Sequence, residues 1–399
     1  MIVHNRQIMR GYFYLGFVLM ILLLPSVPAE PESAIELELV DSLEDVDIGI
    51  NAGKVSPDGL SVMLVGKDGY AHRISAFNPE DRSQDVQLDS NRNADFQDVA
   101  WHPGGKTALL TGDLGMALRY TVETHGISTV NGSGALLGLN MTAVEWRAAG
   151  DFAYFGAVDG SVWKFSEGSG MQKLSDTRDS PISDISCHRN QNICVFTTLN
   201  DGMAVISTFD QVTFLSGTIG ETWIGVDCAD PTLNECVGFA SGKKTQAVRL
   251  DMNDPSQSTM RAIGELSSLT GEFTGVSRAH DGTTIVHMTP FSTIRQQPLI
   301  TEAFVQILPE DAIAWDPVVS GRSIEFVWEN AHQEGFIITS FGNIISFEPI
   351  SDVEKMDMVS LVVVIAVTIS VPGVVLGLIY MNSPYLQKKY LQLRGLKKK

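Results

Sequence analysis

Four cysteines carry the most definite chemistry in this 399-residue chain. They stand as two close pairs, Cys187 with Cys194 and Cys228 with Cys236, each bracketing a short polar turn between apolar runs. A structural metal site wants Cys-x-x-Cys spacing with histidines close by. His188 beside Cys187 is one imidazole among four thiols in two separate places, so no metal is implied. Across a hairpin turn, two Cβ atoms come within disulfide distance. Two local bridges and an oxidising compartment are therefore expected.

Other reactive residue types do not converge. His102, His188 and His280 fall in turns, where a solvated side chain is expected, and His4 lies in the N-terminal signal segment, ahead of its apolar run. There is no Gly-x-Ser-x-Gly elbow, His-Glu-x-x-His helix or Walker loop. Glu44-Asp45 and Glu310-Asp311 are the carboxylate pairs that a glycosidase dyad would draw on, in a chain where acids are common. No cofactor is implied. Asn131-Gly132-Ser133 and Asn140-Met141-Thr142 are acceptor patterns for N-glycosylation, so Asn131 and Asn140 are candidate modification sites.

The elements that position these residues form a repeat. One copy runs from Val99 to Tyr120: an apolar strand ending in Trp101, a His-Pro-Gly-Gly turn, a second strand, a glycine turn and a third strand. Aligned on Trp101, the column reads Val55, Trp101, Trp146, Cys187, Cys228, Arg278 and Trp328, at intervals of roughly 40 to 50 residues. Gly69, Gly115, Gly160, Gly202, Gly242 and Gly342 follow at a nearly constant distance; the sixth copy lacks this glycine. Asp-Gly pairs at Asp58, Asp68, Asp159, Asp201 and Asp281 are hairpin-turn chemistry. They lack the run of oxygen ligands that a calcium loop needs.

Such a unit cannot bury both faces of its own sheet, so copies must stack. The expected fold is all-β, a seven-bladed β-propeller, with six or eight blades as the alternatives. A second register places Trp315-Asp316-Pro317 in the column. The last copy has strands at Ile324–Trp328, 335–340 and Asn343–Pro349 and no fourth. Residues 33–40 contain Ile35, Leu37 and Leu39 alternating with Glu36 and Glu38. This segment is expected to close the last blade as its outer strand, the three apolar side chains facing a neighbouring blade. Trp101, Trp146 and Trp328 are expected to fill space between stacked sheets, whereas Trp223 and Trp315 are candidates for an exposed binding rim.

Both ends read as membrane-directed. Arg6 and Arg10 precede an apolar run to Leu24, and Pro28-Ala29 precedes Glu30. This is the layout of a signal peptide, residues 1–29, cleaved after Ala29. An uncleaved anchor is the other reading, for which the run is short. Residues 30–350 form the repeat domain and 351–357 a linker. Residues 358–381 carry no charge and are long enough to span a bilayer. The tail 382–399 is basic without an acid, which places it in the cytoplasm and the repeats outside. Its lysines suit anionic lipid head groups. Gly373 and Gly377 form a small-xxx-small pair that would let two spans dimerise.

The chain has 47 acids against 28 bases, a net charge of −19. Eight of those bases lie in the two ends, so the repeat domain is more acidic still. A nucleic-acid partner is excluded on that ground. Trp101-His102-Pro103-Gly104-Gly105, Val55-Ser56-Pro57-Asp58-Gly59 and the run Ala108–Asp113 resemble WD40-like and Ycf48-like β-propeller repeats over roughly residues 48–350. That resemblance implies an assembly factor or interaction platform. The leading expectation is a membrane-anchored extracytoplasmic platform for a protein or glycan partner. The alternative is a propeller hydrolase or lyase with carboxylates around its channel.

Overall fold

The computed structural model describes residues 35–228, 234–267, 269–278, 282–296, 322–349 and 377–393. Its strands pair into seven separate sheets. The N-terminal strand is β1 (Ile35–Ser42). Blade 1 is β2 (Ile50–Val55), β3 (Ser61–Gly66), β4 (Ala71–Ser75) and β5 (Val86–Leu88). Blade 2 is β6 (Phe96–Trp101), β7 (Thr107–Gly112), β8 (Met116–Thr121) and β9 (Gly126–Thr129). Blade 3 is β10 (Met141–Trp146), β11 (Ala153–Ala157), β12 (Val162–Ser166) and β13 (Gly170–Lys173). Blade 4 is β14 (Ile182–Cys187), β15 (Cys194–Thr198), β16 (Met203–Ile206) and β17 (Val212–Phe214).

Blade 5 is β18 (Trp223–Asp227), β19 (Glu235–Ala240), β20 (Lys244–Arg249), β21 (Thr259–Met260) and β22 (Gly264–Glu265), the last two sharing β20. Blade 6 has β23 (Glu272–Arg278), β24 (Thr284–Thr289) and β25 (Ser292–Gln296) among the described residues. Blade 7 is β26 (Ile324–Ala331), β27 (Glu334–Thr339), β28 (Asn343–Pro349) and β1 outermost. The first strand of each blade packs beside the first strand of the next, and β26 packs beside β2, so the ring closes. The expected seven-bladed β-propeller is the observed fold.

Chain direction gives the ring two faces. Inner strands start at the upper face and end at the lower. The linkers between blades and the turns between second and third strands lie above. The turns between first and second strands, and between third and fourth, lie below. Gly160 shows why an upper turn demands glycine. Its φ is +79°, and a Cβ there would sit 1.8 Å from the Arg178 carbonyl. Blade 5 departs from the pattern: the left-handed residue of its turn is Lys243, not Gly242.

Seven apolar clusters fill the seven blade interfaces. Trp101 packs with Met63 and Val65 of the preceding blade, and Trp146 with Ala100 and Leu109. Trp328 packs with Val62 and Leu64 of blade 1. Those three tryptophans fill space between sheets as expected. In the seventh copy, however, the column is one residue off. The bulge falls four residues before Trp101, Trp146 and Arg278, at Gln97, Thr142 and Thr274, but in β26 it falls at Glu325. Glu329 is therefore the residue equivalent to Trp101.

β1 closes blade 7 beside β28. Asn343 Nδ2 donates to Ser42 Oγ at 2.7 Å and Ser346 Oγ to the Glu38 carbonyl at 3.4 Å. That pairing makes the two strands antiparallel. Ile35 and Leu37 pack on the interface with blade 6, as the alternation predicts. Leu39 does not: it is 41% exposed. Val40, on the opposite side of the strand, packs on the interface with blade 1 instead. An outer strand lies between two neighbouring blades, so its two ends can bury opposite faces.

A second unit, Pro349–Lys399, contains the helix α1 (Pro384–Leu393). Among the described residues no helix is long and apolar enough to cross a membrane. The expected span 358–381 lies outside the described residues except for 377–381, as do the signal segment with Ala29, and Gly373. Gly377 is described and exposed.

Candidate functional site

The channel is lined by inner strands, each with a bulge near its start, after the first residue in six of them and after the second in β23. A bulge re-aims the residue that follows it. In β6 and β14 that residue is an aspartate. Asp98 accepts from its neighbour Val99 N–H at 2.7 Å and from Val144 N–H of blade 3 at 2.7 Å. Asp184 does the same with Ile185 N–H at 2.8 Å and Val226 N–H of blade 5 at 2.9 Å. Each carboxylate fastens one inner strand to the next.

Other junctions use other groups for the same purpose. Trp101 Nε1 donates to the Lys54 carbonyl at 3.0 Å, and Thr142 Oγ1 to the Ile182 carbonyl at 2.6 Å. Arg278 pairs with Asp227, whose second oxygen accepts from Thr284 Oγ1 at 2.8 Å. Ser277 Oγ accepts from Val327 N–H at 3.2 Å. Trp328 Nε1 donates to the Ala76 carbonyl at 2.9 Å. Lys54 reaches further, from blade 1 over blade 2 to Glu145 of blade 3 at 3.0 Å. Its side chain keeps 43% of its surface open to the channel.

Burial deep in the ring raises both aspartates. It pushes Asp98 up to about 7 against the pull of Lys54 and the Val144 N–H. Asp184 rises to about 6, with the Val226 N–H the main opposing influence. A raised folded-state value means that the folded state binds the proton more tightly than the unfolded chain. The stability from Asp98 is thus full below the unfolded value of 3.8 and fades as pH rises through about 7. His287, buried and driven down to about 4, acts oppositely: its contribution is lost as pH falls from 6.5 towards 4. Asparagine mimics the protonated acid and is neutral at every pH, so wild type should gain stability relative to Asp98→Asn as pH falls from 7.5 to 4.5. Urea titrations across that range measure it, and a gap independent of pH would contradict the assignment.

Both disulfides form as expected, Cys187–Cys194 and Cys228–Cys236, with Cα atoms 3.9 and 4.1 Å apart. They staple the lower-face turns of blades 4 and 5. Two of the turn histidines are held by neighbouring groups instead of standing free in solvent. His188 is fully buried, its Nδ1 accepting from Asn190 N–H at 3.1 Å. His102 Nδ1 accepts from Gly104 N–H at 2.9 Å, and the ring sits edge-on to Trp146. In these turns an imidazole nitrogen satisfies backbone donors that water would otherwise reach. His280 lies outside the described residues.

Trp223 is a second correction. It is fully buried, with Nε1 donating to the Thr218 carbonyl at 2.7 Å, so it forms no exposed rim. Its neighbours Ile193, Val195 and Met203 belong to blade 4, and burial against them outweighs exposure at the strand start. Trp315 and Glu310-Asp311 lie outside the described residues. Asn131 and Asn140 are both exposed on the upper linker between blades 2 and 3. Among the described residues, no group of three or more His, Cys, Asp or Glu is placed to hold a metal.

Two upper-face features escaped the sequence reading. A shallow cleft of about 550 Å³ over blade 1 is lined by Lys67, Tyr70, Gln87 and Arg92 among others. Exposed apolar side chains, Leu114, Leu137 and Val158, crown blades 2 and 3.

No family model matches the chain, and no curated protein matches it in sequence. Among solved structures it is similar to the WD40 β-propeller domain of Doa1, with a TM-score of 0.58 at 13% identity, over 81% of this chain and 99% of that one. The likeness is one of fold.

Proposed function

We propose that the chain is a membrane-anchored extracytoplasmic platform that binds a protein or glycan partner. The observation that carries this reading is how the channel charges are used. Asp98, Asp184 and Asp227 spend both carboxylate oxygens on neighbouring groups that hold the ring together, while apolar side chains stand uncovered on the upper turns. The two disulfides fit an oxidising exterior. In this reading residues 1–29 direct export, 358–381 span the bilayer, and the basic tail meets anionic lipid inside. Asn131 is exposed and available for glycosylation, and Gly373 with Gly377 would pair two spans.

A hydrolase or lyase is the second reading. Its favouring observation is Asp98, held at about 7, where a carboxyl group exchanges protons readily near neutral pH. Topology is the first test. Protease added to intact cells should degrade the repeats and leave a small fragment containing Lys397–Lys399. Protected repeats would overturn the orientation and the platform outside the cell.

A further inference from the structure

Leu114, Leu137 and Val158 are 65%, 83% and 46% exposed. Leu114 sits in the turn between β7 and β8 at φ +57°, a left-handed position that a bulky L side chain rarely adopts. Blade 1 places Asp68 at the same point, with φ +52°. Aspartate suits both the conformation and the solvent; leucine suits neither. A residue that breaks local preference without gaining burial points to a role outside folding.

The three side chains are held on one rigid patch. Asn140 Oδ1 accepts from Leu114 N–H at 3.2 Å, and the Asn140 carbonyl accepts from Val158 N–H at 2.9 Å. Gly115 N–H donates to the Leu139 carbonyl at 2.5 Å. Leu136, next to Leu137, is fully buried and anchors that loop. The adjoining upper turns are acidic on balance: they carry Asp95, Asp113, Asp159 and Asp179 against Arg92 and Arg178. Arg178, in the same loops, lays its guanidinium over the Phe214 ring at 4.0 Å.

We infer that Leu114, Leu137 and Val158 form a docking patch for a protein partner presenting an apolar segment flanked by lysine or arginine. The inference rests on the platform reading. The acidic collar complements a basic flank and repels a second copy of a chain carrying a net charge of −19. Preformed apolar anchors inside a charged rim are what a specific contact requires.

The test uses the full chain in its native membrane with a diazirine amino acid in place of Leu137, or of Phe209 on the lower face, which is 84% exposed. Crosslinked peptides are sequenced by mass spectrometry. Position 137 should capture a peptide with apolar residues beside lysine or arginine. Leu114→Asp, which restores the blade 1 residue type and so should fold, should cut that yield at least about ten-fold. Raising salt from about 0.05 to 0.5 M should cut it several-fold. Capture of a second copy, of a sugar, or of a peptide whose yield ignores Leu114→Asp would overturn the patch. Capture at position 209 alone would overturn it while leaving the platform standing. Silence at both positions would likewise overturn the patch.

Discussion

A chain beginning at Asp47, without β1, should lose on the order of 4–6 kcal/mol and unfold less cooperatively than the full repeat domain. The loss has several sources. Ile35 leaves a cluster with Ile324, Ile337 and Phe347, and Leu37 leaves its edge. Leu43 no longer donates to the Gly342 carbonyl at 2.9 Å. Arg82 loses Asp41, at 2.8 Å, and the Ser42 carbonyl, two contacts that bind blade 1 to the closing strand. β28 is then left as an open edge bearing Ile344, Ile345 and Phe347, so aggregation should rise as well. Denaturant melts of the two chains measure this, and equal midpoints would remove β1 from the closure.

Trp328→Ala should cost about 3–5 kcal/mol, the range for truncating a buried aromatic. Trp328 is fully buried, stacks on Phe326 at 5.8 Å, meets Phe336 at 5.3 Å, and reaches the Ala76 carbonyl of blade 1. The cavity would lie on the one interface where the last blade meets the first. Neither flanking sheet can collapse into it without shifting the ring. Equilibrium unfolding by fluorescence and by circular dichroism reads the loss, and a change below 1 kcal/mol would mean that the site repacks.

Much of this architecture is written in local pattern. The Trp and Cys column, the turn glycines and the cysteine spacing are short-range signals, and strand ends and bridges follow from them. The alternation at Ile35 and Leu37 likewise announces a closing strand. What local pattern does not carry is pairing between blades. Lys54 and Glu145 lie 91 residues apart, and nothing near either names the other. Trp223 reads as a strand-start residue until blade 4 covers it. The shift from Trp328 to Glu329 depends on where a bulge falls, and a bulge leaves no fixed residue type behind. Leu114 was legible as an oddity at an Asp-Gly-like turn position only once its left-handed backbone was seen.

The pairing of β1 with β28 also sets an order in time. Synthesis runs from the N-terminus, so the first strand made must wait for the last. Some 300 residues separate Glu38 from Ser346, and bringing such distant segments together costs roughly 5 kcal/mol of chain entropy if the chain between them is slack. Stacking blades 1 to 6 beforehand shortens that slack and brings the two ends side by side. Closure is therefore the final event of assembly, and until Pro349 has emerged β1 is a strand without a sheet. During that wait its exposed Ile35, Leu37 and Val40 are the segment that a chaperone in the folding compartment would hold.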